Sequence, residues 1–336
     1  MSTGKQAKPP YEITPAILRN VVEIGELLGA LKAHSGWGSK PRLSRVNRIK
    51  TIQGTLEIEG NTLSREQVTA VLEGKAVLAP PREIQEVKNA FAAYDKLSEL
   101  VPHSQKSLFD SHKLMMFGLV DDLGCFRSGN VGVRGAEGVV HVAPPVKQVS
   151  GLMKNLLGWL KETDEHPLIA SSVFHYEFEV IHPFQDGNGR MGRLWQTLIL
   201  GIWNSVFNFL PVENMIRDHR ENYYDALNAC NKAGESTEFI EFALDMINKT
   251  VSGAIADSAA GEVVTGQVKS LLKTLRRQPL NTAEIMGKLR IKSRLSFRET
   301  YLIPAIQKEL VEMTEPDSPR SPTQRYKLTE KGLGKV

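Results

Sequence analysis

Apolar residues recur every three to four positions along most of this chain, which is the spacing of one face of an α-helix. The first such run follows Thr14 and Pro15, which suit a helix cap and a first turn. Its apolar positions are Ile17, Val21, Ile24, Leu27, Leu28 and Leu31. The pattern therefore predicts an N-terminal amphipathic helix, and similar runs predict a mainly α fold.

Local end signals mark several further helices. A second helix over roughly 43–59 is predicted to end at Gly60-Asn61, because glycine and asparagine accept the left-handed conformation found after helices. Ser64 and Gln67 form a capping-box pattern that opens a third helix. Further helical runs cover 84–97, 107–119 and 146–162.

One stretch, Arg127 to Pro145, breaks the helical pattern because it is rich in Gly and Val and ends in a proline pair. We predict a β-hairpin with strands near Val131–Val133 and Val139–Val142 around a Gly-Ala-Glu-Gly turn. A lone hairpin is marginally stable in water. We therefore expect this hairpin to hold a binding partner.

The pattern changes again beyond residue 252. Helices are predicted over 268–277, 282–289 and 297–312, the last kinked at Pro304, before a Pro-rich loop and a strand in Arg-Tyr-Lys-Leu-Thr. Three short helices followed by a hairpin are typical of a winged-helix domain. The predicted regions are an N-terminal helical region (1–100), a core (101–250), a linker or loosely held helix (251–265) and a winged-helix-like domain (266–336).

Composition narrows the class of protein. The N-terminus lacks the apolar stretch of a signal peptide, and no apolar run is long enough for a bilayer. Two cysteines, Cys125 and Cys230, fit neither a disulfide framework nor a metal site. We expect a cytoplasmic protein without membrane contact. Residues 266–336 hold 15 Lys+Arg against 7 Asp+Glu while the whole chain is +4, so the tail offers a basic surface.

The densest chemistry lies in IHPFQDGNGRMGRL, Ile181 to Leu194. Gly187, Gly189 and Gly192 satisfy a dinucleotide fingerprint, but that fold requires several βαβ units that this chain does not offer. A helix before the motif would place His175, Glu179 and His182 on one face, as in a metal site. A plain glycine turn with solvated arginines is the third interpretation.

The fourth interpretation, an anion cradle, uses every polar residue. Gly187 and Gly189 let the backbone turn its N–H groups toward an anion at a helix start. Arg190 and Arg193 project from the same side of that helix, and their guanidinium groups suit phosphate oxygens.

The remaining polar residues add chemistry to this cradle. Asp186 is a hard oxygen ligand for Mg²⁺, and His182 is placed to take a proton from a hydroxyl. Cradle, metal ligand and base together indicate phosphoryl or nucleotidyl transfer.

The segment HPFQDGNGRMGR, His182 to Arg193, resembles the Fic family signature His-x-Phe-x-Asp/Glu-Gly-Asn-Gly-Arg-x-x-Arg at every fixed position. The resemblance extends over roughly 40–246, through Gly-Cys-Phe-Arg and the hairpin before the motif and YYDALNACN after it. It implies a Fic-type helical core with a β-hairpin flap, and a helix over the segment that precedes the motif.

The resemblance also implies an activity, because most Fic proteins transfer AMP from ATP to a Ser, Thr or Tyr hydroxyl of a target protein. His182 would be the general base and Asp186 would hold Mg²⁺ between the α- and β-phosphates. Val139, Val140, His141 and Val142 of the flap would lie nearest the nucleotide, and Tyr223 and Asn231 near its adenosine end. The implied phosphate-binding set is Gly187, Asn188, Gly189, Arg190, Met191, Gly192 and Arg193.

A second segment, TLEIEG from Thr55 to Gly60, resembles the family's inhibitory pattern Ser/Thr-x-x-x-Glu-Gly/Asn. Glu59 falls in the last turn of a predicted helix, where the helix dipole disfavours a carboxylate unless a cation is near. The resemblance implies that this cation is Arg193. An inhibitory helix N-terminal to the core is therefore expected.

Other functions stay open at this point. Some Fic relatives transfer UMP, phosphocholine or phosphate, and some remove AMP. A DNA-binding regulator would use the winged-helix tail, with Arg320, Arg325 and Lys327 against phosphates, although a docking or homodimer role for the tail is favoured. The sequence does not name the target protein, and self-modification is one candidate.

Overall fold

The computed structural model describes residues 8–33, 41–135, 138–262, 265–291, 293–316, 318 and 321–335. For residues 33, 41–44, 132–135, 138–142, 257–262 and 307 it describes the backbone alone. The chain divides into two compact units, Met1–Ile255 and Ala256–Val336.

The first unit is helical apart from one antiparallel hairpin. Its helices and strands are α1 (Pro15–Ala33), α2 (Pro41–Ile58), α3 (Arg65–Leu72), α4 (Pro81–Asp95), α5 (Gln105–Met116), β1 (Gly132–Gly135), β2 (Gly138–Val142), α6 (Val146–Glu162), α7 (Pro167–Ile181), α8 (Asn188–Trp203), α9 (Val212–Asp218), α10 (Arg220–Ala233) and α11 (Thr237–Glu262), which begins in this unit and continues past its last residue, Ile255. Short 3₁₀ helices occupy Leu97–Glu99 and Ser205–Phe209. The mainly α prediction is thus confirmed, and Ser64 and Gln67 form both hydrogen bonds of the predicted capping box.

Helices α7 and α8 form the centre of this unit and pack against each other. Side chains such as Phe174, Phe178 and Trp195 are fully buried, and the Trp195 indole N–H donates to the Pro102 carbonyl at 2.7 Å. Because α8 is buried along nearly its whole length, its first turn is rigidly placed. Within the described ranges, no helix combines the length and apolarity needed to cross a bilayer.

Over 251–265, where the sequence left a linker or a loosely held helix open, α11 continues through Glu262. Val251 is buried, and Ala254 and Ile255 pack against the core of the first unit. Alanine is the strongest helix former, so the run of small residues that suggested a linker is compatible with a helix.

The second unit has its own core, which includes Leu271, Leu272 and Phe297. Its β3 and β4 pair antiparallel, with Val311 opposite Leu328 and Met313 opposite Tyr326. Its elements are α12 (Gly266–Leu275), α13 (Thr282–Leu289), α14 (Arg294–Phe297), a π-helical turn (Arg298–Leu302), α15 (Ile303–Gln307), β3 (Val311–Met313), β4 (Tyr326–Leu328) and α16 (Glu330–Leu333).

The third tail helix is shorter than the prediction of 297–312. It is irregular before Pro304, where the Ile303 N–H bonds to the Arg298 carbonyl five residues back. Proline has no N–H to continue the normal helical pattern, so a wide turn at this point is expected. The helix then ends at Gln307, Glu309 adopts a left-handed φ of 56°, and Val311 begins a strand.

Candidate active site

The loop between α7 and α8 makes two left-handed turns. His182 follows the last residue of α7 with φ 48° and ψ 60°, and Gly187 caps α8 with φ 83°. A Cβ added to Gly187 would lie 2.5 Å from the Met116 Sδ, so both sterics and backbone require glycine. The loop therefore brings His182 and the first turn of α8 to the same place.

Asn188 holds this loop in shape. Its side-chain amide accepts from the Phe184 N–H and donates to the Phe184 carbonyl, both at 2.8 Å. Phe184 is buried and stacks on His112 with ring centroids 3.8 Å apart. The sequence placed Asn188 among the phosphate-binding residues, but in this structure its side chain is engaged with the loop backbone.

His112 is a site residue that the sequence analysis missed. Its Nδ1 accepts from the Gly124 N–H at 3.0 Å, so Nε2 carries the hydrogen and donates to the Asp186 carbonyl at 3.1 Å. Burial lowers its pKa, which keeps this arrangement neutral. No local pattern around His112 marks it, because its partners lie far along the chain.

His182 is half-buried, and its Nδ1 lies 3.3 Å from the Glu179 carbonyl oxygen. A carbonyl only accepts, so this contact favours hydrogen on Nδ1 and leaves Nε2 as the nitrogen that can take a proton. The geometry matches the tautomer that a general base needs.

Arg193 is 1% exposed and faces the end of α2. One guanidinium nitrogen donates to Glu59 Oε1 at 2.5 Å and to the Thr55 carbonyl at 3.1 Å, while Nε donates to Thr55 Oγ1 at 3.0 Å. Its other terminal nitrogen is buried with no partner among the described residues. The predicted Glu59–Arg193 pair is therefore present in the structure.

The Glu59 carboxylate lies just beyond the end of α2, with about a third of the side chain exposed (34%). Burial disfavours its charge, but Arg193 outweighs this and lowers the pKa of Glu59. Gly60, with φ 94°, turns the chain away immediately afterwards. A Cβ on Gly189 would lie 2.4 Å from Glu59 Oε1, so the carboxylate sits directly on the first turn of α8.

Arg190 is buried and pairs with carboxylates on both sides. Its terminal nitrogens lie 3.5 Å from Glu86 Oε1 and 3.5 Å from Asp186 Oδ1. Arg190 and Arg193, both predicted to bind phosphate, contact different carboxylates in this structure, Arg190 those of Glu86 and Asp186 and Arg193 that of Glu59. Glu86 could not be recognised from the sequence, since it lies on α4.

Asp186 fits a metal that arrives with a nucleotide. Its side chain is 44% exposed, and Oδ2 makes a long 3.5 Å contact with the exposed Arg82. Magnesium in such sites uses one or two carboxylates and completes its coordination with phosphates and water. No group of three or more His, Cys, Asp or Glu among the described residues could hold a metal alone.

The expected adenosine-end residues lie on α10, which is adjacent to β2. Tyr223 is buried, and its hydroxyl lies 3.2 Å from His175 Nε2. Asn231 is half-buried and accepts from the Tyr176 hydroxyl at 3.3 Å. The side chains of Val139, Val140, His141 and Val142 lie outside the described residues. Met191 is buried in the core.

His175 and Glu179 of α7 do not form the alternative metal site. Both ring nitrogens of His175 have partners, Gln196 Oε1 at 2.9 Å and the Tyr223 hydroxyl, and burial lowers its pKa to about 3. Glu179 Oε1 is buried without a hydrogen-bond partner in the described part of the chain. Burial raises the pKa of Glu179 to about 8.

This buried carboxyl predicts a pH-dependent stability. Glu179 stays protonated in the folded protein while the unfolded chain ionises, so stability falls as pH rises from about 4.5 to about 8. Gln does not titrate, and the melting temperature of Glu179→Gln minus that of wild type should therefore increase by about 5 °C over this window. Glu57→Gln, at an exposed position, is the control. A difference that stays constant with pH would contradict the prediction.

Comparison with known proteins gives two family matches. The Fic/DOC family profile matches residues 102–200, and the profile described as Filamentation induced by cAMP protein Fic-like, C-terminal domain, matches 266–329. The chain is also similar to a solved Fic family protein from Desulfovibrio desulfuricans G20, with 50% identity, a TM-score of 0.72 and coverage of 97% of this chain and 99% of that one.

Curated relatives are similar to part of this chain. The protein adenylyltransferase Fic of Culex quinquefasciatus is 30% identical over 215 residues, and that of Aedes aegypti is 29% identical. Each alignment covers 60% of this chain and 41% of the relative, so this chain spans less than half the length of these relatives. Fic-1 of C. elegans, at 22% identity and a TM-score of 0.60 over 73% of this chain and 74% of that one, shares the fold.

Proposed function

This chain belongs to the Fic family, and we propose that it is a protein adenylyltransferase held inactive by its own Glu59. The substrates are ATP, with Mg²⁺, and a Ser, Thr or Tyr hydroxyl of a target protein. The loop after α7 and the first turn of α8 form the reaction site. The observation that carries the proposal is the joint placement of His182, Asp186 and Arg193 around this one helix start.

The proposed reaction begins when a target hydroxyl lies between His182 and the α-phosphorus of ATP. Nε2 of His182 takes the hydroxyl proton as the oxygen attacks, the bond from the α-phosphorus to the bridging oxygen breaks, and pyrophosphate leaves. AMP stays on the target oxygen. Asp186 would hold Mg²⁺, which supplies positive charge to the phosphates when bound.

The chain's other groups position the nucleotide. The backbone N–H groups at the start of α8 can bind an anion, because the N-terminus of a helix carries a partial positive charge. Arg190 and Arg193 add charged donors whose planar groups match phosphate oxygens. Such transfer depends mainly on positioning and charge stabilisation, which this rigid helix start offers.

Inhibition is proposed to result from competition for Arg193. The guanidinium that the terminal phosphate of ATP would use is bound to Glu59 and Thr55. A phosphate placed there would also meet the Glu59 carboxylate, which repels it. ATP would then be bound without its α-phosphorus aligned for attack.

The hairpin is proposed to align the target. Its strands pair from Gly132 opposite Val142 to Gly135 opposite Gly138, with an irregularity between Val133 and Arg134. Within the described residues each strand pairs only with the other. An extended target segment could add to a free edge through main-chain hydrogen bonds, with little demand on its sequence.

The by-products of the reaction test the activity. With purified Glu59→Gly, Mg²⁺ and ATP in the absence of lysate, self-modification should release one pyrophosphate for each AMP attached to protein. ADP released in place of pyrophosphate would indicate phosphate transfer. Release of free AMP from previously modified protein would instead favour hydrolytic removal of AMP, with water as the attacking group.

Thr55→Val should give partial activation. The change removes the acceptor for Arg193 Nε but leaves the Thr55 carbonyl and Glu59 in place. The inhibitory contact with Arg193 therefore loses one hydrogen bond, which contributes about 0.5–1.5 kcal/mol. The initial rate of AMP transfer should rise about 2- to 10-fold. Thr51→Val, one turn earlier on α2, is the control. An unchanged rate in Thr55→Val would argue against Thr55 as part of the inhibitory contact.

A further inference from the structure

Arg127 joins three parts of the chain through backbone carbonyls. It is 3% exposed and lies five residues before β1. Its Nε donates to the His182 carbonyl at 2.8 Å, and one terminal nitrogen donates to the Gly129 carbonyl at 2.8 Å. The other donates to the Pro144 carbonyl at 2.5 Å and lies 3.5 Å from the Ile181 carbonyl.

Two of these carbonyls belong to the C-terminal end of α7. The last carbonyls of a helix lack partners inside it and carry partial negative charge. Helices often end on a left-handed glycine, but here the left-handed residue is His182. This conformation costs a residue other than glycine about 1–3 kcal/mol, which contacts with the surrounding structure must offset. Arg127 provides such contacts. Its side chain donates to the His182 carbonyl, and its backbone N–H donates to the Pro183 carbonyl at 2.9 Å.

The other two carbonyls are the two ends of the hairpin. Gly129 lies before β1 and Pro144 after β2, so one guanidinium closes the hairpin at its base. Asn130 strengthens the closure, because its Oδ1 accepts from the Val146 N–H at 2.9 Å. Burial lowers the pKa of the guanidinium, yet an arginine stays charged at neutral pH.

We propose that Arg127 is a positioning residue that fixes the hairpin relative to His182, so that a target segment aligned along the hairpin presents its hydroxyl to Nε2. This inference rests on the proposed function for the role of the hairpin and of His182. The coupling itself is geometric: a shift of the hairpin base breaks bonds that also hold the His182 turn. Lysine cannot replace it, because one ammonium nitrogen cannot substitute for the three guanidinium nitrogens that contact these carbonyls.

The first test measures the coupling without activity. Arg127→Lys and Asn130→Ala are made in the Glu59→Gly protein, and backbone hydrogen exchange is followed by mass spectrometry. Arg127→Lys should raise exchange in the hairpin strands and in the turn after α7 together, whereas Asn130→Ala should raise it in the hairpin alone. Unchanged exchange at the His182 turn in Arg127→Lys would overturn the inference.

The second test measures transfer and nucleotide affinity separately. In Arg127→Lys, kcat for transfer of α-³²P label to protein should fall about 10- to 100-fold, since a misplacement of about 1 Å costs that much. KM for ATP and binding of a fluorescent ATP analogue should change less than about 2-fold, because Arg127 contacts backbone and not the phosphate cradle. A raised KM with an unchanged kcat would contradict a positioning role.

The outcomes separate the two proposals. If the Glu59→Gly parent transfers no α-label, the proposed function fails while hydrogen exchange still decides the coupling. If the parent transfers label and Arg127→Lys does so equally well, the positioning role fails and the proposed function stands. Should Arg127→Lys not fold, the Arg127→Ala protein with added ethylguanidinium replaces it. Recovery of transfer by the added cation would support the role, and folding without recovery would overturn it.

Discussion

Glu59→Gly should increase the initial rate of AMP transfer to protein about 10- to 150-fold over wild type. Removing the carboxylate frees the Arg193 guanidinium from a 2.5 Å contact and removes a negative charge from the first turn of α8. A hydrogen bond to a charged group contributes about 1.5–3 kcal/mol, and that energy corresponds to the stated range of rates. The measurement is the rate of α-³²P incorporation at saturating ATP.

Glu57→Gly is the matched control for this change. Glu57 lies two residues earlier, in the last turn of α2, is exposed and pairs with Arg217 at 3.2 Å rather than with Arg193. Glu57→Gly removes the same negative charge and introduces the same flexible residue as Glu59→Gly. Equal activation by both variants would show that loosening α2, and not release of Arg193, raises the rate.

His182→Ala should lower the transfer rate of the Glu59→Gly protein about 10²- to 10⁴-fold, the usual contribution of a general base. Binding of an ATP analogue should be nearly unchanged, because the phosphate cradle is built from the first turn of α8 and its arginines. The measurement pairs single-turnover transfer with analogue binding in the same preparation.

His219→Ala is the control for that loss. His219 also places Nδ1 against a backbone carbonyl, that of Met215 at 2.9 Å, but it lies outside the loop between α7 and α8. Loss of analogue binding together with activity in His182→Ala would assign His182 a role in holding the loop and not in proton transfer.

The sequence predicted the parts of the site that are local in the chain. His182, Asp186, Gly187 and Arg193 lie within twelve residues, so their types and spacing alone indicated a phosphate cradle. The Glu59–Arg193 contact joins residues far apart, and it was anticipated only through the family resemblance. In the structure the contact is direct, because the end of α2 lies against the first turn of α8.

The residues that the sequence did not reveal act through long-range backbone contacts. Arg127, His112 and Glu86 each contact the loop or its arginines from another helix or loop. Arg127 lies in the Gly-Cys-Phe-Arg segment that resembles the family, but neither that resemblance nor the neighbouring residues revealed these contacts. The third tail helix is shorter than predicted, because its apolar spacing continues past Gln307 but the helix does not. It ends at Gln307, and Glu309 then adopts a left-handed conformation. DNA binding and homodimer formation by the tail stay predictions from the sequence.

The proposed function has two parts, that this site transfers AMP and that Glu59 restrains the transfer through Arg193. The most direct measurement incubates wild type, Glu59→Gly and Glu59→Gly/His182→Ala with Mg²⁺ and α-³²P-ATP, alone and with cell lysate, with γ-³²P-ATP in parallel. We expect strong α-label on protein in Glu59→Gly, little in wild type, none above background in the double variant, and no γ-label. Glu59→Gly that binds ATP but attaches no α-label, or that attaches γ-label, would contradict the proposed function.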